Sequence, residues 1–192
     1  MIYQILAGYF NDNDADELAN EPVFKSILEK SALASQPTLS RFFNRMDTDT
    51  LNQFNEIIKE LRKLAYGIKK PEMVLLDIDS TLLNTYGRQE GEGFNFHYSA
   101  HGYHPLLCYD GLTGDLLKAQ LRDGTVYTSN GVVDFMKPLL DEYQQIYPDI
   151  ALYLRGDSGF ATPDLFKQWE TNSVSYTIRL KANQNLYKLA SH

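Results

Sequence analysis

Apolar residues at helical spacing mark the first third of the chain. From residue 51 to residue 64 they recur every three or four positions, which is typical of one face of an amphipathic helix. This stripe consists of Leu51, Phe54, Ile57, Ile58, Leu61 and Leu64. Thr50 and Gln53 have the spacing of a capping box at its start, and Gly67 is a residue type that commonly ends a helix. The pattern predicts a long helix that ends near residue 67.

Shorter helices are predicted ahead of this one. Glu21-Pro22 opens the first, because proline is well tolerated in the first turn of a helix. Residues 35–45, SQPTLSRFFNR, are interpreted as a turn that runs into a short helix, where Arg41 and Arg45 are candidates for contact with DNA. A surface helix in an interaction bundle is at least as good an interpretation. We therefore predict a helical region over residues 1–66 that binds DNA or another protein.

From Pro71 onward the pattern is that of strands and alternating helices. Residues 73–79, MVLLDID, form a nearly continuous apolar run typical of a buried central strand. The further predicted elements are strands at 94–98, 103–109 and 114–121, a helix within 132–146, a strand at 150–154, a helix at 164–170 and a strand at 175–180. Pro138 is expected to kink the first of these helices or to delay its start.

This order of elements indicates the fold class. Consecutive strands followed by alternating helix and strand fit a mixed sheet covered by helices, as in ribonuclease H-like domains. We predict an α/β fold over residues 67–192, with an incomplete ribonuclease H-like mixed sheet flanked by helices.

The composition fits a soluble intracellular protein but does not favour a nucleic-acid binder. One cysteine, Cys108, excludes an intramolecular disulfide framework, and no segment resembles a signal peptide or a membrane span. The net charge is −7, with 7 Lys and Arg against 10 Asp and Glu before Gly67, and 11 against 15 from there on. DNA-binding proteins usually carry the opposite charge. A metal-dependent nuclease site needs several carboxylates, however, and bound cations would neutralise them.

Three acids are placed to bind metal. Asp77 and Asp79 are two residues apart on one predicted strand, so their side chains point to the same face at its carboxyl end. Asp157 follows a second strand, in Arg155-Gly156-Asp157-Ser158-Gly159. Carboxylates at the ends of neighbouring strands can share divalent ions, and Mg²⁺ prefers such oxygen ligands. A single strand-end Asp is more often a cap or turn residue, but two acids closing an apolar strand are costly unless paired or metal-bound.

Several segments together resemble one family of enzymes. LDIDSTLLNTYGRQEG, residues 76–91, resembles the first catalytic segment of insertion-sequence DDE transposases, in the group where a Tyr-Gly-Arg/Lys-Gln-Glu-Gly stretch follows. YHPLLCYDGLTGDLL, LRDGTVYTSNG and LYLRGDSGF follow in that group's order and at similar spacing. AGYFNDNDADELANEPVFK and LASQPTLSRFFNR resemble its region ahead of the catalytic core. The resemblance covers nearly the whole chain.

The resemblance implies specific roles for the acids. Asp79 would be the first catalytic carboxylate, Asp157 the second, and Asp77 an accessory metal ligand, with Arg155 near a DNA phosphate or paired with these acids. The family's third carboxylate, a Glu, is expected beyond residue 192. The chain is therefore expected to be a fragment with little activity by itself.

The resemblance also implies a reaction and partners. The expected reaction is hydrolytic nicking of double-stranded DNA at a transposon end, followed by attack of the freed 3′-hydroxyl on target DNA. The expected cofactor is a pair of Mg²⁺ or Mn²⁺ ions. The full-length protein is expected to be a homo-oligomer on the bacterial nucleoid, in the cytoplasm, with no membrane association.

Two alternatives remain open at this point. VLLDIDSTLLNT matches the start of haloacid-dehalogenase-type phosphatases, in which Asp77 would be the nucleophile and Asp79 the general acid and base. That reading requires a parallel sheet around Asp77, whereas a transposase requires antiparallel strands directly after Asp79. In the second alternative the chain is a non-catalytic truncated transposase that inhibits the complete enzyme.

The aromatic and histidine residues between the strands are given structural roles. His97, His101 and His104 lack nearby Cys partners, so a zinc site is disfavoured. Stacking of unpaired bases on Phe94, Phe96, Tyr98 and Tyr103 is conceivable, but we favour core packing for these rings.

Overall fold

The computed structural model describes residues 1–191. The helices are α1 (Ile2–Leu6), α2 (Asp14–Leu18), α3 (Pro22–Ile27), α4 (Gln36–Phe43), α5 (Thr48–Ile68), α6 (Val132–Ile146), α7 (Pro163–Thr171) and α8 (Gln184–Ala190). The strands are β1 (Met73–Ser80), β2 (Leu83–Asn84), β3 (Gly93–Asn95), β4 (Ala100–Tyr103), β5 (Leu106–Asp110), β6 (Leu116–Gln120), β7 (Ala151–Gly156) and β8 (Ser175–Ile178). A short 3₁₀ helix, Ser158–Phe160, follows β7.

The chain divides into two compact units, residues 1–54 and 55–192. The first unit is helical, as predicted for this part of the chain. Its α3 begins at the predicted Pro22, and the Glu21 carboxylate accepts a hydrogen bond from the Phe24 amide at 2.8 Å. The Asp16 carboxylate accepts one from the Gln36 amide at 2.8 Å, which ties α2 to the start of α4.

The long helix α5 differs from its prediction at both ends. It begins at Thr48. Asp47, and not Thr50, provides the capping side chain, because Asp47 Oδ1 accepts a hydrogen bond from the Thr50 amide at 2.9 Å. It continues through Gly67 to Ile68.

The second unit is built on a mixed five-stranded sheet with the order β6-β5-β1-β7-β8. β5 pairs antiparallel with β1 and with β6, while β7 pairs parallel with β1 and with β8. This is the arrangement of a ribonuclease H-like domain, so the predicted fold class is confirmed. The phosphatase alternative requires a parallel sheet around Asp77. The antiparallel pairing of β1 with β5 contradicts that alternative.

A smaller sheet interrupts the chain between β1 and β5. Its order is β2-β4-β3, with both pairs antiparallel. The strand predicted for residues 103–109 is wrong as one element, because β4 ends at Tyr103 and β5 begins at Leu106 in the other sheet. Pro105 lacks an N–H donor and cannot continue a ladder through this position.

The core lies on one face of the five-stranded sheet. Val74, Leu76 and Ile78 of β1 are at most 2% exposed and belong to a buried cluster that includes residues of α6 and α7. α6 begins at Val132, so Pro138 lies inside it and the predicted later start is wrong. Buried and less buried residues alternate along β1, so Asp77 and Asp79, near the end of this strand, lie on the face away from the core.

A buried ion pair connects the second part of α5 to α6. Arg62 Nη2 donates to both carboxylate oxygens of Glu142, at 2.8 and 2.7 Å, and the two side chains are only 6% and 10% exposed. Burial lowers the pKa of Arg62, but the hydrogen bond and charge of Glu142 outweigh it and raise the pKa overall. The predicted apolar stripe of α5 is largely exposed here, since Leu61 and Leu64 are 60% and 66% accessible. Arg62 therefore anchors the helix.

Removing one partner of this pair will destabilise the second unit strongly. We expect Glu142→Gln to lower the free energy of unfolding by about 3 kcal/mol, because it leaves the Arg62 cation buried without a counter-charge. Urea unfolding followed by circular dichroism measures this change. Asp141→Asn on the same helix is the control, since its partner Lys137 is 65% exposed, and it should cost less than about 1 kcal/mol. Equal losses in both variants would contradict the expectation.

Candidate active site

The acidic face of the sheet follows from the alternation along β1. The side chains of Leu76 and Ile78 are buried, so Asp77 and Asp79 point to the opposite face. Asp77 is partly buried and Asp79 is exposed. The core that orients Leu76 and Ile78 therefore also fixes the direction of both carboxylates.

The parallel partner β7 brings Asp157 to the same face. Its register with β1 aligns Leu76 with Leu154 and Asp77 with Arg155. Two residues further along each strand, this register leads to Asp79 and Asp157, which lie at and just beyond the carboxyl ends of β1 and β7. The prediction that these acids follow neighbouring strands is confirmed, while their catalytic role stays a prediction.

Backbone amides orient both carboxylates. Asp79 Oδ1 accepts a hydrogen bond from the Ser80 amide at 2.7 Å. Asp157 Oδ1 accepts one from the Gly159 amide at 2.8 Å and caps the short 3₁₀ helix. Within residues 1–191 neither acid forms a salt bridge. Two carboxylates on one face are thus without a cationic side-chain partner.

Tyr98 is a third component of the site. Its hydroxyl donates to the Ser80 carbonyl at 3.4 Å, and 43% of the residue is exposed. Burial raises the pKa of the Tyr98 phenol, and the charges of Asp79 and Asp157 raise it further. The charges of both acids therefore act on the same hydroxyl group. Core packing, the role predicted for Tyr98, is wrong, because this residue is partly exposed beside the acids.

Asp77 is paired with Arg155 across the two strands. Arg155 Nε donates to Asp77 Oδ1 at 3.1 Å, and its Nη2 forms a short contact with Oδ2. The hydrogen bond and the charge of Asp77 raise the pKa of Arg155. Of the two roles considered for Arg155, that of partner to a strand-end acid is the one found. Asp77 is accordingly less available than Asp79 as a metal ligand.

The donor set suits a hard divalent cation. Asp79 and Asp157 offer carboxylate oxygens at an exposed position, and Mg²⁺ is commonly held by one or two carboxylates together with water and substrate phosphate. Residues 1–191 contain no group of three or more His, Cys, Asp or Glu side chains arranged to hold a metal. The two carboxylates therefore have the chemistry of part of a metal site.

Comparison with known proteins identifies the family. The family model for transposase DDE domain group 1 matches residues 1–192. The chain belongs to this family. No curated protein sequence matches it.

The solved structures similar to this transposase domain share little sequence with it. The piggyBac transposase in a synaptic complex with hairpin DNA is 18% identical, with a TM-score of 0.49, covering 95% of this chain and 40% of that one. The catalytic domain of Mos1 mariner transposase is 10% identical, with a TM-score of 0.42 and coverage of 77% and 71%. The catalytic core domain of BIV integrase is 14% identical, with a TM-score of 0.38 and coverage of 61% of each chain. The chain thus spans 61% of the integrase core and 40% of the piggyBac chain.

The two other predicted DNA contacts of the transposase domain lie in its first unit. Arg41 is on α4 and donates to the Thr38 hydroxyl at 3.2 Å. Arg45 follows α4, with its guanidinium 6.0 Å from the centre of the Phe42 ring. Both side chains belong to exposed residues, so their contact with DNA stays a prediction. Among residues 1–191 no helix is long and apolar enough to cross a membrane.

The shared influence of the two acids on Tyr98 can be measured directly. We expect Asp79→Asn and Asp157→Asn each to lower the pKa of the Tyr98 phenol, because each removes a negative charge that disfavours the phenolate. Titration of the tyrosine ¹³Cζ signals in metal-free protein, with Tyr98→Phe for assignment, gives this pKa. Asp77→Asn is the control, since Asp77 is not among the charges that shift Tyr98. A shift in only one of the two site variants would contradict the geometry.

Proposed function

We propose that the chain carries part of the catalytic site of a metal-dependent transposase, which cuts DNA at the ends of an insertion sequence and joins them to target DNA. The observation that carries the proposal is the pair of acids, Asp79 and Asp157, at the ends of two paired parallel strands and close to one phenol. Membership of the DDE transposase family supports the same chemistry.

Asp79 and Asp157 would hold the metal ions, Mg²⁺ or Mn²⁺, with Asp77 as an accessory ligand. When bound, a pair of such ions stabilises the charge on the attacking and leaving oxygens of a phosphodiester. The Ser80 and Gly159 amides prepare the site by fixing one oxygen of each carboxylate. Such orientation before binding lowers the entropy that must be lost when the substrate is positioned.

Two further side chains would act on the DNA itself. Arg155 keeps N–H groups that Asp77 does not use, and its side chain is 57% exposed, so it can donate to a phosphate oxygen. The Tyr98 hydroxyl is protonated near neutral pH like that of any tyrosine, and its raised pKa extends this to more alkaline pH, so it is a hydrogen-bond donor beside the acids. These groups would orient the phosphodiester beside the two acids, and no covalent intermediate with the protein is required.

The proposal includes weak activity for this chain by itself. Among residues 1–191 no three His, Cys, Asp or Glu side chains are grouped to hold a metal, and Asp77 is already paired with Arg155. A site with two free carboxylates holds metal less firmly than one with three. We propose that a further carboxylate, a Glu of the family's third position, completes the site in the active protein. We also propose that the active protein is a homo-oligomer on DNA, because two transposon ends must be brought together.

Metal binding tests the proposal at the site. We expect weak binding of Mn²⁺ by isothermal titration calorimetry, and a decrease in affinity of about tenfold or more in Asp79→Asn and in Asp157→Asn. Asp164→Asn is the matched control, since Asp164 is exposed and lies on α7, and it should leave the affinity unchanged. Replacing Mn²⁺ by Fe²⁺ with ascorbate should cleave the backbone near residues 79, 98 and 157. Equal binding in all four proteins, or cleavage elsewhere, would remove the shared-metal site.

DNA binding by the first unit is tested separately. We expect Arg41→Gln and Arg45→Gln each to weaken binding of a fluorescein-labelled duplex and to reduce the salt dependence of the affinity by about one unit of slope. Fluorescence anisotropy at several salt concentrations measures both quantities. Arg179→Gln, an exposed position in the second unit, serves as the control. If the slopes of all three variants match the wild type, these arginines do not contact phosphates.

A further inference from the structure

The segment LRDGTVYTSNG, residues 121–131, connects β6 to α6, and Arg122 lies buried at its start with 9% of its surface exposed. Its guanidinium Nε donates to the His104 carbonyl at 2.8 Å. Its Nη1 faces three carbonyls of the following loop, those of Tyr127 at 3.4 Å, Thr128 at 3.2 Å and Asn130 at 2.7 Å. One side chain thus holds the loop of residues 126–130 against the backbone at residue 104.

This cation has no counter-charge in the part of the chain that the structure describes. Arg122 forms no salt bridge there, and its buried Nη2 has no hydrogen-bond partner among those residues. Burial accordingly lowers the pKa of Arg122 to about 10. An uncompensated buried cation is costly to fold. Within residues 1–191 the partners of this buried cation are therefore backbone carbonyls alone.

The loop of residues 126–130 contacts the chain next to both acids, through Thr128. The Thr128 hydroxyl accepts a hydrogen bond from the Ser80 hydroxyl at 3.4 Å. On the other side, a Cβ atom at Gly159 would lie 2.7 Å from Thr128 Cγ2, so only glycine fits against this methyl group. Ser80 and Gly159 are the residues whose amides bind Asp79 and Asp157. Thr128 is therefore packed between the two amide donors.

His104 anchors the same loop at its other end. Its Nδ1 is 2.8 Å from the Val126 carbonyl and must carry the proton to donate to it. Its ring lies edge-on to the Tyr98 ring, with 6.0 Å between their centres. The loop is thus tied at residues 126, 127, 128 and 130, next to all three components of the site.

We infer that Arg122 is a positioning residue, which holds Thr128 between the strand ends and thereby sets the orientation of Asp79 and Asp157. The role of those acids as metal ligands comes from the proposed function, on which this inference rests. Arg122 itself touches neither carboxylate through a hydrogen bond or salt bridge in residues 1–191.

The test compares two buried arginines. Arg122→Lys keeps the charge but loses the forked set of donors, and Arg62→Lys does the same to a buried arginine that contacts Glu142 and the Leu117 carbonyl instead. Amide hydrogen exchange by NMR in metal-free protein is the first measurement. We expect Arg122→Lys to speed exchange about tenfold at residues 126–131 and at the Ser80 and Gly159 amides. Arg62→Lys should leave those amides unchanged while lowering the melting temperature.

Mn²⁺ titration is the second measurement. We expect the dissociation constant to rise about tenfold in Arg122→Lys, as for loss of a residue that orients metal ligands, and to stay at the wild-type value in Arg62→Lys. Thr128→Ala removes the contact between the loop and the strand ends and should reproduce the loss if Arg122→Lys folds poorly. If the wild type does not bind Mn²⁺, the proposed function is wrong. The amide hydrogen exchange of Ser80 and Gly159 in Arg122→Lys then shows by itself whether Arg122 orients the strand ends. Faster exchange confined to residues 126–131, or equal effects in the two lysine variants, overturns the inference.

Discussion

The parallel pairing of β1 with β7 is the constraint on which the rest of this structure depends. It aligns Leu76 with Leu154 in the core and Asp77 with Arg155 on the other face. A slip of one residue in either strand would carry its apolar side chains out of the core and its acids into it. Burial of the apolar set therefore holds the register, and the register in turn determines which acids meet. The site owes its geometry to the hydrophobic core beneath it.

The three acids on this face of the sheet have two different kinds of partner. Asp77 is neutralised by Arg155, which the pairing brings opposite to it. Within the described residues, Asp79 and Asp157 accept hydrogen bonds from backbone amides, at 2.7 and 2.8 Å, without a salt bridge, and their charge raises the pKa of Tyr98. Like charges held on one face repel each other, and a divalent cation would relieve this repulsion. The face thus combines one ion pair, Asp77 with Arg155, and two carboxylates without a salt bridge among residues 1–191.

Local pattern predicted much of this arrangement, and long-range packing determined the rest. The apolar run ending in Asp77 and Asp79, and the strand ahead of Asp157, could be read from the sequence because buried strands have a continuous apolar signature. The split of residues 103–109 between two sheets depends on how the chain turns at Pro105. The position of Tyr98 beside the acids depends on the small sheet, whose pairing joins residues far apart in sequence. Nothing in the residues next to Arg122 indicates that its guanidinium would meet four carbonyls.

The two buried arginines show that burial alone does not define a structural role. Arg62 meets a carboxylate, and its pKa is raised, so the folded state stabilises its charge. Among residues 1–191 Arg122 meets carbonyls without a counter-charge, and burial lowers its pKa to about 10. A residue of the first kind is accounted for by the stability of the fold. Burial of a charge without a counter-charge is the kind of local conflict that is characteristic of functional sites. The loop that Arg122 holds packs against the amide donors of Asp79 and Asp157, so the contacts of this buried arginine connect the conformation of the loop to the orientation of those two acids.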